Sequence, residues 1–252
     1  MERAIGESQA RTVFHLAAQA QVGVGNLNPI STFDTNVRGT WSVLEACRRS
    51  PLVEQVIVSS SDKAYGEQPK LPYTEDMPLL GLHPYDASKA CADRLAQTYA
   101  SQWGLPVAIT RCGNLFGGGD RTWSRLVPGT IRRLMNGERP VVRGDGSAIR
   151  DWLYVEDAVD AYLTLAESMQ AKTCRGAFNL SLGIQLSVIE AMNAGVKAFG
   201  AKTAYEHTPS LPGEIHAQTL DCSRARDLLE WVPQHTLAEG LKKTVAWYRE
   251  SL

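Results

Sequence analysis

The chain has 252 residues and a mass of 27.6 kDa, enough for one well-buried core and a smaller appended lobe. Its 26 basic and 27 acidic residues give a net charge of −1, and no Lys/Arg run exceeds two residues, which excludes a nucleic-acid or membrane-surface binder held by charge. Widely spaced cysteines (Cys47, Cys91, Cys112, Cys174, Cys222) without CxxC, no signal-peptide pattern and no apolar run of bilayer length point to a soluble cytoplasmic protein with reduced thiols and no membrane partner. In chain order, TVFHLA (12–17) predicts a buried strand. Apolar residues at helical spacing, Ile30, Phe33, Val37, Trp41, Leu44 and Cys47, predict a helix over 30–49. A strand at 54–59 follows, then a Pro- and Gly-rich loop to about 84, a helix near 86–103, a strand at 106–111 and a helix near 124–136. Beyond about 140 the elements shorten and mix, and the chain ends in a short helix, a Pro turn and an amphipathic helix. The alternation predicts an α/β fold, a doubly wound parallel sheet with helices on both faces.

In such a sheet reactive groups gather at the carboxyl ends of the strands. Those ends carry HLAAQA (15–20), SSSDKAYG (59–66) and RCGNLFGG (111–118). The second sets a hydroxyl (Ser61), a carboxylate (Asp62) and an amine (Lys63) side by side. Asp62 and Lys63 read either as an acid–base pair or as a surface ion pair in a turn. Downstream, HPYDASKA places Tyr85 and Lys89 four residues apart, on one face if a helix begins near Tyr85. A phenol needs help to act as a base at neutral pH, and an ammonium one turn away favours the phenolate. His15 reads as a packed core histidine, and His83 and His216 as solvated loop positions. Gly117–Gly119 lack GxGxxG spacing and read as a close-packed turn, and no His/Cys/Asp cluster has metal-ligand spacing.

HLAAQ, TNVRGTWSVLEA, the hydroxyl–YxxxK pair, RCGNLFGGGD, RDWLYVEDAVDAYL and LPGEIHAQTLDCSRARDLLEW together resemble the extended short-chain dehydrogenase/reductases that act on nucleotide sugars. The resemblance implies a Rossmann-like dinucleotide-binding domain over 1–140, here partial. It implies a mixed region over 141–252 with a substrate-binding lobe and some elements returning to the main sheet. It implies that Ser61 hydrogen-bonds the sugar 4-hydroxyl, Tyr85 deprotonates it, and Lys89 holds the nicotinamide ribose and tunes Tyr85. Ala17 and Ala18 are expected to line the cofactor, with Asn36 and Ser59 close to it. Asn114 is expected to face the sugar nucleotide and Arg150 its phosphates. The helices near 30–49 and 86–103 are expected to build a homodimer interface, although Trp41 and Trp103 fit an intramolecular core equally.

Within that family residues 61–63 discriminate the reaction. Epimerases place few ionisable groups there, whereas 4,6-dehydratases add an acid and a base to expel water across C5 and C6. Ser61-Asp62-Lys63 and the tail EIHAQTLDCSRA are most similar to the cytidine-diphosphate-glucose 4,6-dehydratases. The implied cofactor is NAD, with NADP left open, and the implied activity is that of a lyase on a nucleotide sugar. Lys63 is either a base of depressed pKa or an electrostatic stabiliser of the enolate. A 4-epimerase and a non-catalytic protein binding a sugar nucleotide or a partner chain are the alternatives. The family opens with GxxGxxG, which is not found in these residues, and only Met1–Arg11 precedes the strand resembling the family's fourth. About two βαβ-type units, on the order of 60 residues, are therefore expected to be missing. A misplaced start codon, a fragment and a shortened protein with a rebuilt or partner-completed sheet remain open. The 252 residues alone are expected to bind NAD weakly or not at all, for want of backbone donors to the pyrophosphate.

Overall fold

Short runs of β-branched residues make the centre of the fold, as expected where a sheet is covered on both faces. A computed structural model describes residues 1–170, 175–210 and 215–252. Cys174 and residues 211–214 of the LPGEIHAQ stretch lie outside the described residues. The chain divides into two compact units. The first comprises Met1–Cys112, Asp160–Leu180 and Asp221–Val232; the second comprises Gly113–Val159, Ser181–Leu220 and Pro233–Leu252.

The first unit holds a four-stranded parallel sheet of β1 (Thr12–His15), β2 (Gln55–Ser59), β3 (Val107–Cys112) and the later strand Gly176–Leu180, in that spatial order. Register pairs Val13 with Val56, Val58 with Ile109, and Thr110 with Phe178. All six residues of β3 are buried, Thr110 and Arg111 included, so burial along it is continuous rather than alternating. Helix α1 (Glu2–Ser8) precedes β1, and a short helix α2 (Val22–Leu27) follows it. The predicted 30–49 helix is present but not uniform. It is built from α3 (Pro29–Phe33), one wide π turn (Asp34–Arg38) and α4 (Gly39–Arg49). Asn28 caps the first part, its side chain accepting from Ser31 N at 3.1 Å, and Pro29 starts the helix where no backbone donor is needed. Helix α5 (Pro84–Trp103) ends at Gly104 in the left-handed conformation, φ 65°. Val43, Leu44, Ala46 and Cys47 of α4 pack with Ala96 of α5 against Val56, Val58, Val107 and Ile109. Trp41 and Trp103 stand outside that core, 44% and 54% exposed.

In the second unit the parallel pair Asn114–Phe116 and Trp152–Tyr154 packs with the helices Leu126–Met135, Val188–Phe199 and Leu237–Ser251. Phe116, Ile131, Tyr154, Leu241 and Tyr248 are its buried centre. Two of these helices open with reciprocal capping boxes, Ser187 with Glu190 and Thr236 with Glu239. Gly117 and Gly118 are close-packed as expected from the sequence, whereas Gly119 faces open space at φ 86°: a Cβ at Gly117 would lie 2.2 Å from the Val155 side chain, and one at Gly118 would lie 2.5 Å from the Trp247 indole. Among the described residues no helix is long and apolar enough to cross a membrane.

Candidate active site

The polar stretch after β2 exists because the strand stops at a capped turn. Ser60 N still donates to Thr110 O at 2.8 Å, the last bond across to β3. Ser61 stays extended, and its Oγ accepts from Lys63 N at 3.2 Å, which starts the single 3-10 turn Asp62–Tyr65. The same hydroxyl donates to Asp62 Oδ1 at 3.0 Å. Ser61 and Asp62 are buried and Lys63 is half-buried. A solvated surface ion pair is therefore not what residues 62 and 63 form.

Tyr85 sits in the first turn of α5 and is buried, with Lys89 one turn later on the same face. Lys89 is 5% exposed, and its Nζ donates to Ser59 O at 2.9 Å, tying α5 to the carboxyl end of β2. Burial pushes the amine down from the ordinary lysine value of 10.5 to about 8, with Cys112 and Asp93 opposing the fall. The ammonium is therefore retained at neutral pH, where it favours a phenolate on its neighbour. Between pH 8 and 10.5 the unfolded chain holds a proton that the folded chain has released, so this group makes stability rise with pH across that window. Relative to Lys89→Met, the native protein is expected to gain on the order of 3 kcal/mol over the window in urea unfolding. A difference that stays flat with pH would contradict the buried amine.

Asn36 lies in the π turn, a local widening found often at functional sites. Its Oδ1 accepts from Gln19 N at 2.7 Å, and its Nδ2 donates to Gln19 O at 3.0 Å and to Ser88 Oγ at 2.8 Å. Ser88 Oγ in turn donates to Tyr85 O at 2.6 Å. One asparagine thus locks the loop after β1 to the helical turn that carries Tyr85. Within that loop Ala17 is exposed and Ala18 half-buried. His15 is buried, its Nε2 2.9 Å from Thr40 Oγ1, and burial together with the Lys89 charge holds its pKa below the ordinary value.

Beneath the 62–65 turn lies a polar network that sequence reasoning missed. Arg111 Nε and Nη2 grip the two oxygens of Asp93 at 2.8 and 3.0 Å, with the side chains 2% and 0% exposed. Arg111 Nη1 donates to Tyr65 OH at 2.9 Å, and Tyr65 OH donates to Asn179 Oδ1 at 2.7 Å. Burial works against the Arg111 charge, but the two-pronged Asp93 contact wins and holds its pKa above the ordinary value. RCGNLF contains Arg111, yet spacing cannot reveal a partner 18 residues away. Cys112 is buried, and burial pushes its thiol up to about 12, so it is not a thiolate nucleophile.

The second unit holds the other two expected residues. Asn114 opens its strand, N donating to Asp151 O at 2.9 Å and Nδ2 to the same oxygen at 3.3 Å. Arg150 is buried, and its Nη1 donates to Ile149 O at 2.8 Å and His216 O at 3.4 Å.

Known proteins are similar to this chain over nearly its whole length. The model of the NAD dependent epimerase/dehydratase family matches residues 1–181. The CDP-glucose 4,6-dehydratase of Salmonella typhimurium is 30% identical over 264 aligned positions, covering 99% of this chain and 73% of that protein. The dTDP-glucose 4,6-dehydratase of Streptomyces griseus is 35% identical over 244, covering 94% and 71%. Among solved structures, the UDP-glucose 4-epimerase of Thermotoga maritima with UDP-glucose superposes with a TM-score of 0.92 at 29% identity, over 99% of this chain and 81% of that one. With a family model over residues 1–181 and relatives at 30–35% identity, the chain belongs to the NAD-dependent epimerase/dehydratase family.

Proposed function

We propose that this protein is an NAD-dependent nucleotide-sugar 4,6-dehydratase. The observation that carries the reading is the capped turn Ser61-Asp62-Lys63, which puts a buried acid and a half-buried amine at the end of β2. The relatives at 30–35% identity that are named 4,6-dehydratases support it. The residues present fit the nicotinamide half of the cofactor. Lys89 carries three N–H donors and uses one within the chain, on Ser59 O, leaving two for a ligand from a buried position. Ala17 and Ala18 offer small side chains at the end of β1, and Asn36 and Ser59 border the same loop and strand end. NAD, when bound, supplies the hydride acceptor at C4 and the hydride donor at C6; NADP remains an alternative.

In this reading Ser61 holds the sugar 4-hydroxyl and Tyr85 takes its proton, with the Lys89 ammonium stabilising the phenolate. The resulting 4-ketone acidifies the C5 proton, which Lys63 takes as the neutral amine while Asp62, when protonated, gives its proton to the departing 6-hydroxyl, so that water leaves across C5 and C6. Asn114 and Arg150 are assigned to the sugar nucleotide and its phosphates. We assign a homodimer through α4 and α5, whose exposed Trp41 and Trp103 suit an apolar interface. A cytoplasmic location accords with the four described cysteines, all free.

Given NAD and cytidine-diphosphate-glucose, the protein is expected to form a 4-keto-6-deoxy sugar that absorbs in alkali. Lys63→Ala is expected to slow water loss at least about 100-fold while reduction of bound cofactor persists. The likeness to a 4-epimerase structure supports the second reading. A C4-epimer as product, with Lys63→Ala turning over normally, would establish the epimerase and end the dehydratase proposal.

A further inference from the structure

We infer that Gly81 is a positioning residue, whose lack of a side chain sets the spacing between the turn that carries Asp62 and Lys63 and the helix end that carries Tyr85. The role in water loss rests on the dehydratase reading; the spacing itself does not.

The loop that follows the 62–65 turn doubles back over it as a strap. Gly66 leaves the turn at φ 66° and ψ −158°, a conformation that essentially only glycine adopts. Buried Tyr73 donates from its hydroxyl to Gly66 O at 3.0 Å, and Asn179 Nδ2 donates to Tyr73 O at 2.8 Å. The strap then returns alongside the turn, Leu80 N donating to Tyr65 O at 3.2 Å and Gly81 N to Ala64 O at 3.1 Å. Soon after Gly81 the helix α5 starts at Pro84 and brings Tyr85 into place.

The main chain of the strap is pressed between turn and helix, with no room on either side. A Cβ at Gly66 would lie 2.6 Å from Leu80 O and 2.9 Å from Gly81 N. A Cβ at Gly81 would lie 2.7 Å from the Asp86 carbonyl carbon, 2.8 Å from its oxygen and 2.9 Å from its Cβ. Carbon atoms rest at about 3.5 Å or more, so a methyl group at Gly81 forces an opening of roughly 0.8 Å. Backbone stands opposite, and no rotamer change absorbs the shift. Helix α5 is anchored by Ala96 in the core and by the bond of Lys89 Nζ to Ser59 O. Ser61 is held at the strand end, where Ser60 N still bonds Thr110 O. What yields is the strap, and with it the turn to which it is hydrogen-bonded. The two steps of the proposed reaction therefore depend on Gly81 unequally. Tyr85 and Ser61, which serve oxidation at C4, stand on the anchored helix and strand end. Asp62 and Lys63, which serve water loss, stand on the turn that yields.

Gly81→Ala is the test. Gly81 does not adopt a positive φ, so alanine there adds bulk without backbone strain. In the crystal structure of the variant the 62–65 turn is expected to stand about 0.5 Å or more further from the start of α5 than in the native protein. In single turnover with NAD and cytidine-diphosphate-glucose, oxidation at C4 is expected to stay within about threefold of native while water loss slows about tenfold to 100-fold. The absorbance of reduced nicotinamide then accumulates on the enzyme. A turn that has not moved, water loss at its native rate, or two steps slowed alike overturns the proposal. Should Gly81→Ala not fold, Tyr73→Phe decides, because it removes the hydroxyl bonded to Gly66 O and adds no bulk. It is expected to slow water loss about threefold or more relative to C4 oxidation, and an unchanged ratio of the two steps overturns the proposal equally. A displaced turn in a protein that makes no 4-keto-6-deoxy product leaves the spacing standing and refutes the dehydratase reading alone.

Discussion

Tyr85→Phe is expected to lower turnover by about 100- to 10,000-fold, the usual contribution of a positioned general base. The substitution removes one oxygen from a buried ring and leaves the backbone contact Ser88 Oγ to Tyr85 O, the helix start and the Asn36 lock in place. Thermal unfolding should accordingly change little while reduction of bound cofactor, followed by the absorbance of the reduced nicotinamide, nearly disappears. Losing Tyr85 also removes the group on which the Lys89 charge acts, so adding Lys89→Met to Tyr85→Phe should cost far less than it costs the native enzyme. Normal turnover by Tyr85→Phe would move the base elsewhere and with it the purpose of the buried Lys89.

The second large effect is on stability. Asp93→Ala leaves the Arg111 guanidinium 2% exposed without its bidentate partner. Breaking one side of a buried pair costs about 3–5 kcal/mol, because an uncompensated charge stays in the interior. For a chain of this size that corresponds to a fall in Tm of roughly 10 °C. The same change should reach the active site, since Arg111 also donates to Tyr65 at the end of the 62–65 turn. Replacing both members with apolar residues, Asp93→Leu with Arg111→Met, is expected to recover much of the stability, because the pair's attraction and its desolvation nearly offset. Urea unfolding of the two variants distinguishes the cases. A loss below about 1 kcal/mol for Asp93→Ala would mean that the charge finds water or another anion.

Much of the fold and part of the site follow from local pattern alone. QVIVS and VAITRC carry the unbroken apolar cores Val56–Val58 and Val107–Ile109 because a parallel strand is covered on both faces, so the sheet was legible. Tyr85 and Lys89 fall on one face because i and i+4 do so in any helix, and Ser61 falls at a strand end because apolar residues stop there. Periodicity records which face a residue occupies; it carries nothing about what stands opposite. That is why the contact of Lys89 with Ser59 O, the Asn36–Ser88 link across 52 residues and the Arg111–Asp93 pair emerged only from the packed structure. The π turn at Asp34–Arg38 was equally invisible, since the apolar positions on either side keep a helical rhythm through it. Asp86 is the sharpest instance. By sequence it is an ordinary acidic residue in a helix's first turn, and only the close approach of Gly81 buries it beside the turn of Asp62 and Lys63. Burial and cross-chain contact set the charge state of such a group, and both belong to the tertiary structure.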